Sequence, residues 1–226
     1  MICEDALSST RSIRWRVTNN SLSGHLRCIE VPAAQPHIRA VHQLLAAAIV
    51  TIRIYNYAAV PSERIDAARA AADGIFQDAA ISLQWIDCRV PGVVAGTACF
   101  GPLAETEFVL RLLESFDPNT SRHLALGSSL LDTDARSGVL ITIDPGRTTA
   151  VAGQAGMDPS LLLGRAIAHE LGHMLMGTSE HARAGLMRAL WSQRELRQNH
   201  STDWCFSSRE VRDIRRGLAA RIRAAN

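Results

Sequence analysis

No stretch of this 226-residue chain stays apolar over the roughly 18 residues that a bilayer crossing needs, so no transmembrane segment is expected. The longest apolar run, Leu44 to Val50, fades into Thr51-Ile52-Arg53. Aromatic residues make up only 5% and never cluster with basic ones, which removes a base-stacking platform. A net charge of +2 is too small to make nucleic acid the expected partner. None of the five cysteines (Cys3, Cys28, Cys88, Cys99, Cys205) belongs to a CxxC pair, so a cysteine zinc knuckle is excluded. There is no GxSxG elbow to support a serine nucleophile. Internal repeats and low-complexity linkers are also absent. What remains, 47% apolar and 20% charged, is an ordinary globular composition sized for one domain with a short extension.

Residues 1–40 show little periodicity and read as an N-terminal extension. The basic flank and Leu/Ala run of Arg39 to Val50 fit a buried helix leading into a strand better than a signal core. Thr51 to Tyr57 alternates with period two and reads as a strand. Pro61-Ser62 opens a helix to about Ala80, with Ile65, Ala68, Ala72, Ile75, Phe76 and Ala79 at helical spacing. Further strands are expected at Ile81–Asp87, Glu107–Leu113, His123–Leu131 and Gly138–Asp144, the last broken by Asp144-Pro145-Gly146. Asp158 is a natural N-cap with Pro159 at the first helical position and Gly177 as the stop, which predicts one long helix between them. Ser207-Ser208-Arg209-Glu210 fits a capping box for a final helix. Its apolar stripe is Val211, Ile214, Leu218 and Ile222. Arg212, Arg215, Arg216, Arg221 and Arg223 form a basic face, read as solvated in preference to contacting an anionic surface. Cys88 and Cys99 flank a Pro/Gly loop and are either a disulfide or two half-buried thiols. A secreted or extracytoplasmic location is favoured over a cytoplasmic one.

The most telling stretch is Ala168-His169-Glu170-Leu171-Gly172-His173, followed by Gly177 and His181. Helical positions i and i+4 share a face, so His169 and His173 can grip one metal ion while Glu170 reaches the water beside it. Catalytic zinc takes three protein ligands and keeps one position for water, whose pKa it lowers to about 7. Glu170 can act as general base on that water and later protonate a leaving amine. One catalytic Zn2+ is therefore the expected cofactor, and a peptide or protein the expected substrate. His181 is favoured as third ligand, with Glu180 or Glu195 as alternatives. The rival reading is a non-catalytic zinc-binding module in which the metal clips the C-terminal segment to the helix, with four protein ligands.

These residues resemble the metzincin clan of zinc peptidases, especially its matrixin-like branch, whose pattern is HExxHxxGxxH followed by a methionine turn. His169, Glu170 and His173 match directly. Gly177 falls one residue late and His181 two, which marks a small divergent family. Met187, in Gly185-Leu186-Met187, lies where the Met-turn would fall. The resemblance is tight over 169–187 and topological over about 51–176. It implies an α+β zincin-like fold for residues 41–226: a twisted mixed five-stranded sheet, two long helices and a small C-terminal helical subdomain. It also implies that Met187 packs beneath the ligands. The fourth strand, around Ala125 to Leu131, would be the antiparallel edge that an extended peptide joins. No tyrosine lies near the turn to act as a second electrophile. Leu26-Arg27-Cys28 is faintly similar to the prodomain cysteine that blocks zinc in some matrixins.

The remaining residues carry plainer readings. His25, His37, His42 and His123 read as surface or structural, while His200 could approach substrate. Met174 and Met176 read as core filling, and Trp85, Trp191 and Trp204 as packing. Gly172 would let the motif helix approach a neighbour closely.

Overall fold

The computed structural model describes residues 48–89, 96–114 and 125–224. Expectations placed on residues 1–40, on Cys28 and on His25, His37, His42 and His123 lie outside these, as does most of the Arg39–Val50 run.

Period-two alternation builds the sheet. Strand β1 (Ala48–Asn56) turns Val50, Ile52, Ile54 and Asn56 to one buried side. It pairs in parallel with β2 (Ile81–Arg89) and with β3 (Glu107–Leu112), and β3 pairs in parallel with β5 (Ser137–Ile143). Strand β4 (Gly127–Asp132) closes one edge antiparallel to β5, giving the order β2-β1-β3-β5-β4. The architecture is thus α+β with a mixed five-stranded sheet. Register sets Ile52 beside Phe108, Leu110 beside Ile141 and Ser129 beside Ile141. One face of the sheet is therefore continuous apolar surface up to β4.

That face shares a core with two long helices, α1 (Ser62–Asp78) and α3 (Pro159–Met176), which is the motif helix. Helix α1 contributes Ile65, Ala68, Ala72 and Phe76. Between β5 and α3 lies α2 (Pro145–Ala155). Both α2 and α3 start with Asp accepting a main-chain N–H and Pro in the first turn, and both end on a left-handed glycine, Gly156 or Gly177. Short α4 (Gln193–Gln198) and long α5 (Ser208–Ala224) complete the chain. The capping box of α5 is present, with Ser207 N–H donating to Glu210 (2.6 Å) and Glu210 N–H to Ser207 Oγ (3.3 Å).

On the opposite face of the sheet, Arg53 donates to the carbonyls of Gly101 (2.7 Å) and Pro102 (2.8 Å). Tyr55 donates to Cys99 O (3.0 Å), and Cys99 is disulfide-bonded to Cys88. Of the two states open for these thiols, the structure contains the bond.

Several expectations need correction. Asp144-Pro145-Gly146 does end β5, but it also opens α2, a helix not anticipated. Nor was α4, which begins with a capping box of Ser192 and Glu195. Strand β1 starts at Ala48, so the end of the presumed leading helix is strand, and β4 starts only at Gly127. The basic face of α5 is not wholly solvated. Arg215 donates to Ala79 O (2.8 Å), and Arg221 donates to Gly138 O (2.7 Å) and lies over the Phe108 ring. Main-chain carbonyls at the ends of other elements claim these two guanidinium groups.

Candidate metal centre

Helix α3 carries His169 and His173 on one face, both buried. Its end positions the third imidazole. Gly177, at φ +64°, donates its N–H to His173 O (2.9 Å) and reverses the chain, and Glu180 N–H then donates to Thr178 Oγ1 (3.1 Å). His181 follows, exposed, with its ring 4.8 Å from that of His173 and 5.4 Å from that of His169. One ligand atom from each of the three lies within 4.8 Å of the others.

Two main-chain carbonyls orient the buried rings. His169 Nδ1 lies 2.9 Å from Leu186 O, and His173 Nδ1 lies 2.8 Å from Thr178 O. A carbonyl can only accept, so each neutral ring carries its proton on Nδ1 and leaves Nε2 bare. The two Nε2 atoms face each other at 3.0 Å. Two buried lone pairs at that separation repel unless a cation or proton sits with them. Burial opposes the proton: it lowers His169 to about 4, against the Leu186 contact and with help from His173 and His181. His173 and His181 are lowered too, chiefly by burial. Imidazole nitrogens about 2.0–2.1 Å from a tetrahedral zinc stand about 3.3 Å apart, so the donor pair fits that ion in type and spacing.

Leu186 O belongs to a tight turn. Gly185 at φ +79° starts it, Leu186 N–H donates to Cys205 O (3.1 Å), and Ala182 N–H donates to Met187 O (2.8 Å). Trp191 Nε1 donates to the same Leu186 carbonyl (3.2 Å), with its ring 5.6 Å from that of His169. Met187 is buried against Gly172 of α3, where a Cβ would stand 2.9 Å from its sulfur. The turn is braced from behind by an ion pair between Arg188 and Glu195.

Glu170 leaves α3 toward β4 and accepts a hydrogen bond from Ser129 Oγ, which also lies 3.0 Å from Glu170 O. Burial raises its pKa to about 7, with the Ser129 hydroxyl opposing. A carboxyl poised there can take or give a proton near neutral pH.

The alternative ligands fall elsewhere. Glu195 is engaged by Ser192 and Arg188, contacts that hold it below the usual carboxylate range, with the Ser192 hydrogen bonds the largest cause. Neither Glu195 nor Glu180 belongs to the histidine cluster, and His200 is exposed before the short helix Ser201–Trp204. Sequence reasoning missed Ser129, Gly127 and the carbonyls of Thr178 and Leu186. Only the inward positions of β4 could have pointed to the first two.

No protein-family model matches the chain, and no curated protein matches it. The solved structures to which this chain is similar include the following two. One is an archaemetzincin from Methanopyrus kandleri, at 16% identity over 78% of this chain and 99% of that one, with a TM-score of 0.46. The other is a zinc-dependent peptidase from Methanocorpusculum labreanum, at 14% identity over 72% and 99%, with a TM-score of 0.47.

Proposed function

We propose that this chain is a zinc-dependent peptidase in which His169, His173 and His181 hold one zinc ion and Glu170 is the general base. The observation that carries the reading is the convergence of two bare, buried Nε2 atoms with a third imidazole, beside a carboxyl held near neutral pKa. When bound, the ion would activate a water and polarise the substrate carbonyl. Glu170 takes the proton of the attacking water and returns it to the leaving amine. Thr178 O and Leu186 O hold the imidazoles in the ligating tautomer, and Met187 fills the space beneath them against Gly172. The edge strand β4 receives an extended peptide as a further strand, beside Glu170. The Cys88–Cys99 bond supports a secreted or extracytoplasmic location.

The test pairs metal analysis with cleavage of a proteome-derived peptide library. Glu170→Gln should retain the zinc of the wild type and lose cleavage. Wild-type cleavage by that variant refutes the base assignment. Zinc uptake by a wild type that cleaves nothing leaves the rival structural module instead.

A further inference from the structure

We infer that Ser129 is a positioning residue that aims the Glu170 carboxylate, with Gly127 providing the slot for its stem. This rests on Glu170 being the base. Gly127 and Ser129 are two apart on β4, so both face α3. Ser129 Oγ donates to Glu170 Oε2. A Cβ at Gly127 would collide first with Ile143 Cδ1, and would stand 2.9 Å from Thr142 O and 3.2 Å from Glu170 Cγ, so the missing side chain makes room for β5 as well as for the Glu170 stem. Glu170 has three rotatable side-chain bonds. Helix α3 fixes its Cα, the gap at Gly127 channels its stem, and Ser129 holds its head.

A mere tie between sheet and helix would not need the carboxylate. Glu170 O sits within the ladder of α3, and a hydroxyl bonded there alone would join β4 to the helix equally well. The contact to Oε2 acts on the one part of Glu170 that does chemistry. It also comes from the strand along which the proposed substrate lies, so a shift of β4 moves the base with it.

The test compares Ser129→Ala, Ser129→Val and Ser129→Thr in the zinc-loaded full chain, using a quenched fluorescent peptide that the wild type cleaves. Valine and threonine share a shape and suit a strand, so that pair isolates the hydroxyl if the alanine variant folds poorly. Ala and Val should lower kcat about ten- to a hundredfold with KM within about twofold, since a charge-assisted hydrogen bond is lost without loss of substrate contact. Thr should recover kcat to within about threefold, as its hydroxyl restores that bond. Zinc content should equal that of the wild type in all three, and crystals of the Val variant should show the Glu170 carboxylate displaced. Wild-type kcat in the Val variant, no recovery by Thr, or an unmoved carboxylate overturns the inference. If the wild type binds no zinc or cleaves no peptide, the peptidase reading fails separately, and the crystallographic position of Glu170 still decides the role of Ser129.

Discussion

Replacing glycine by alanine inside a helix ordinarily stabilises a protein, by about 1 kcal/mol from propensity alone. This chain predicts that the sign depends on which glycine is replaced. At Gly74 in α1 and Gly153 in α2, a new Cβ meets nothing within 4 Å. At Gly217 in α5 it would collide with the carbonyl oxygen of Leu175 in α3, with Leu175 C at 3.0 Å. Leu175 lies in the last turn of α3 but is itself buried, so its main chain cannot swing aside freely. Instead α5 must withdraw from α3, loosening Ile214 and Leu218, which are 0% and 2% exposed. Overpacking of this kind costs about 1–3 kcal/mol, and a backbone obstacle puts Gly217 at the upper end. Set against the propensity gain, Gly217→Ala should lose about 1–2 kcal/mol, or about 2–8 °C in thermal midpoint for a chain of this size. Gly74→Ala and Gly153→Ala should gain about 0.5–1 kcal/mol. Urea denaturation of the metal-free protein reads all three. A Gly217→Ala variant as stable as the Gly74→Ala variant would mean that α5 does not press on the motif helix as described.

Further outcomes concern metal ligation, acid stability and the disulfide. His181→Ala should weaken zinc binding at least about tenfold, the scale of losing one contributor to a metal site, yet leave the metal-free fold intact because His181 is exposed. Glu180→Gln should leave zinc content unchanged, and zinc loss in that variant by equilibrium dialysis would reassign the third ligand. As pH falls from 6.5 to about 4, His169 destabilises the metal-free protein, because the unfolded chain protonates it there and the folded one does not, while Glu170, raised to about 7, works in the opposite direction over much of the same window. The His169 part is worth on the order of 3 kcal/mol, so the urea-measured stability of wild type minus that of His169→Asn should fall by about that much across the window, and a difference that stays constant refutes the assignment. Removing the Cys88–Cys99 bond, which spans 11 residues, with a double alanine variant should cost about 3 kcal/mol of stability on the chain-entropy account. Unchanged unfolding with and without reductant would refute that estimate.

The elements legible from sequence were those whose signals are local. Period-two alternation located β1, and Asp158-Pro159 with Gly177 bounded α3 to the residue. The same Asp-Pro signature at 144–145 marks only a strand break in the sequence pattern, although it caps α2 in the same way. The difference is composition: α3 is rich in leucine, whereas Pro145–Ala155 carries Thr, Gly and Ala and shows no strong apolar stripe. Strand β4 was weak for a related reason. As an edge strand it buries only one side, and its inward residues begin with Gly127 and Ser129, which carry no hydrophobic signal. Those residues are the ones that meet Glu170. The alternation that sequence reasoning relies on fades where the strand contacts the candidate site.

The candidate site divides along the same line. The i, i+4 pair is a property of side-chain identity and could be read directly. The groups that orient the pair are main-chain carbonyls, at Thr178 and Leu186, and any residue supplies a carbonyl. Their placement follows from two left-handed glycines, Gly177 and Gly185, which turn the chain back toward α3. This also explains how His181 can fall two residues later than the resembled pattern and still reach the cluster. Helix α3 runs to Met176, so Gly177 turns the chain one position later. The remaining extra residue is taken up in the turn at Thr178 to Glu180, where Thr178 Oγ1 accepts the Glu180 N–H. Thr178 supplies its main-chain oxygen to His173 within that same turn. The longer connection is thus part of the device that holds the second imidazole. Deleting Thr178 to restore the shorter spacing should therefore reduce zinc affinity, whereas a pattern-based view predicts a gain, and isothermal titration of the two proteins with zinc separates the two.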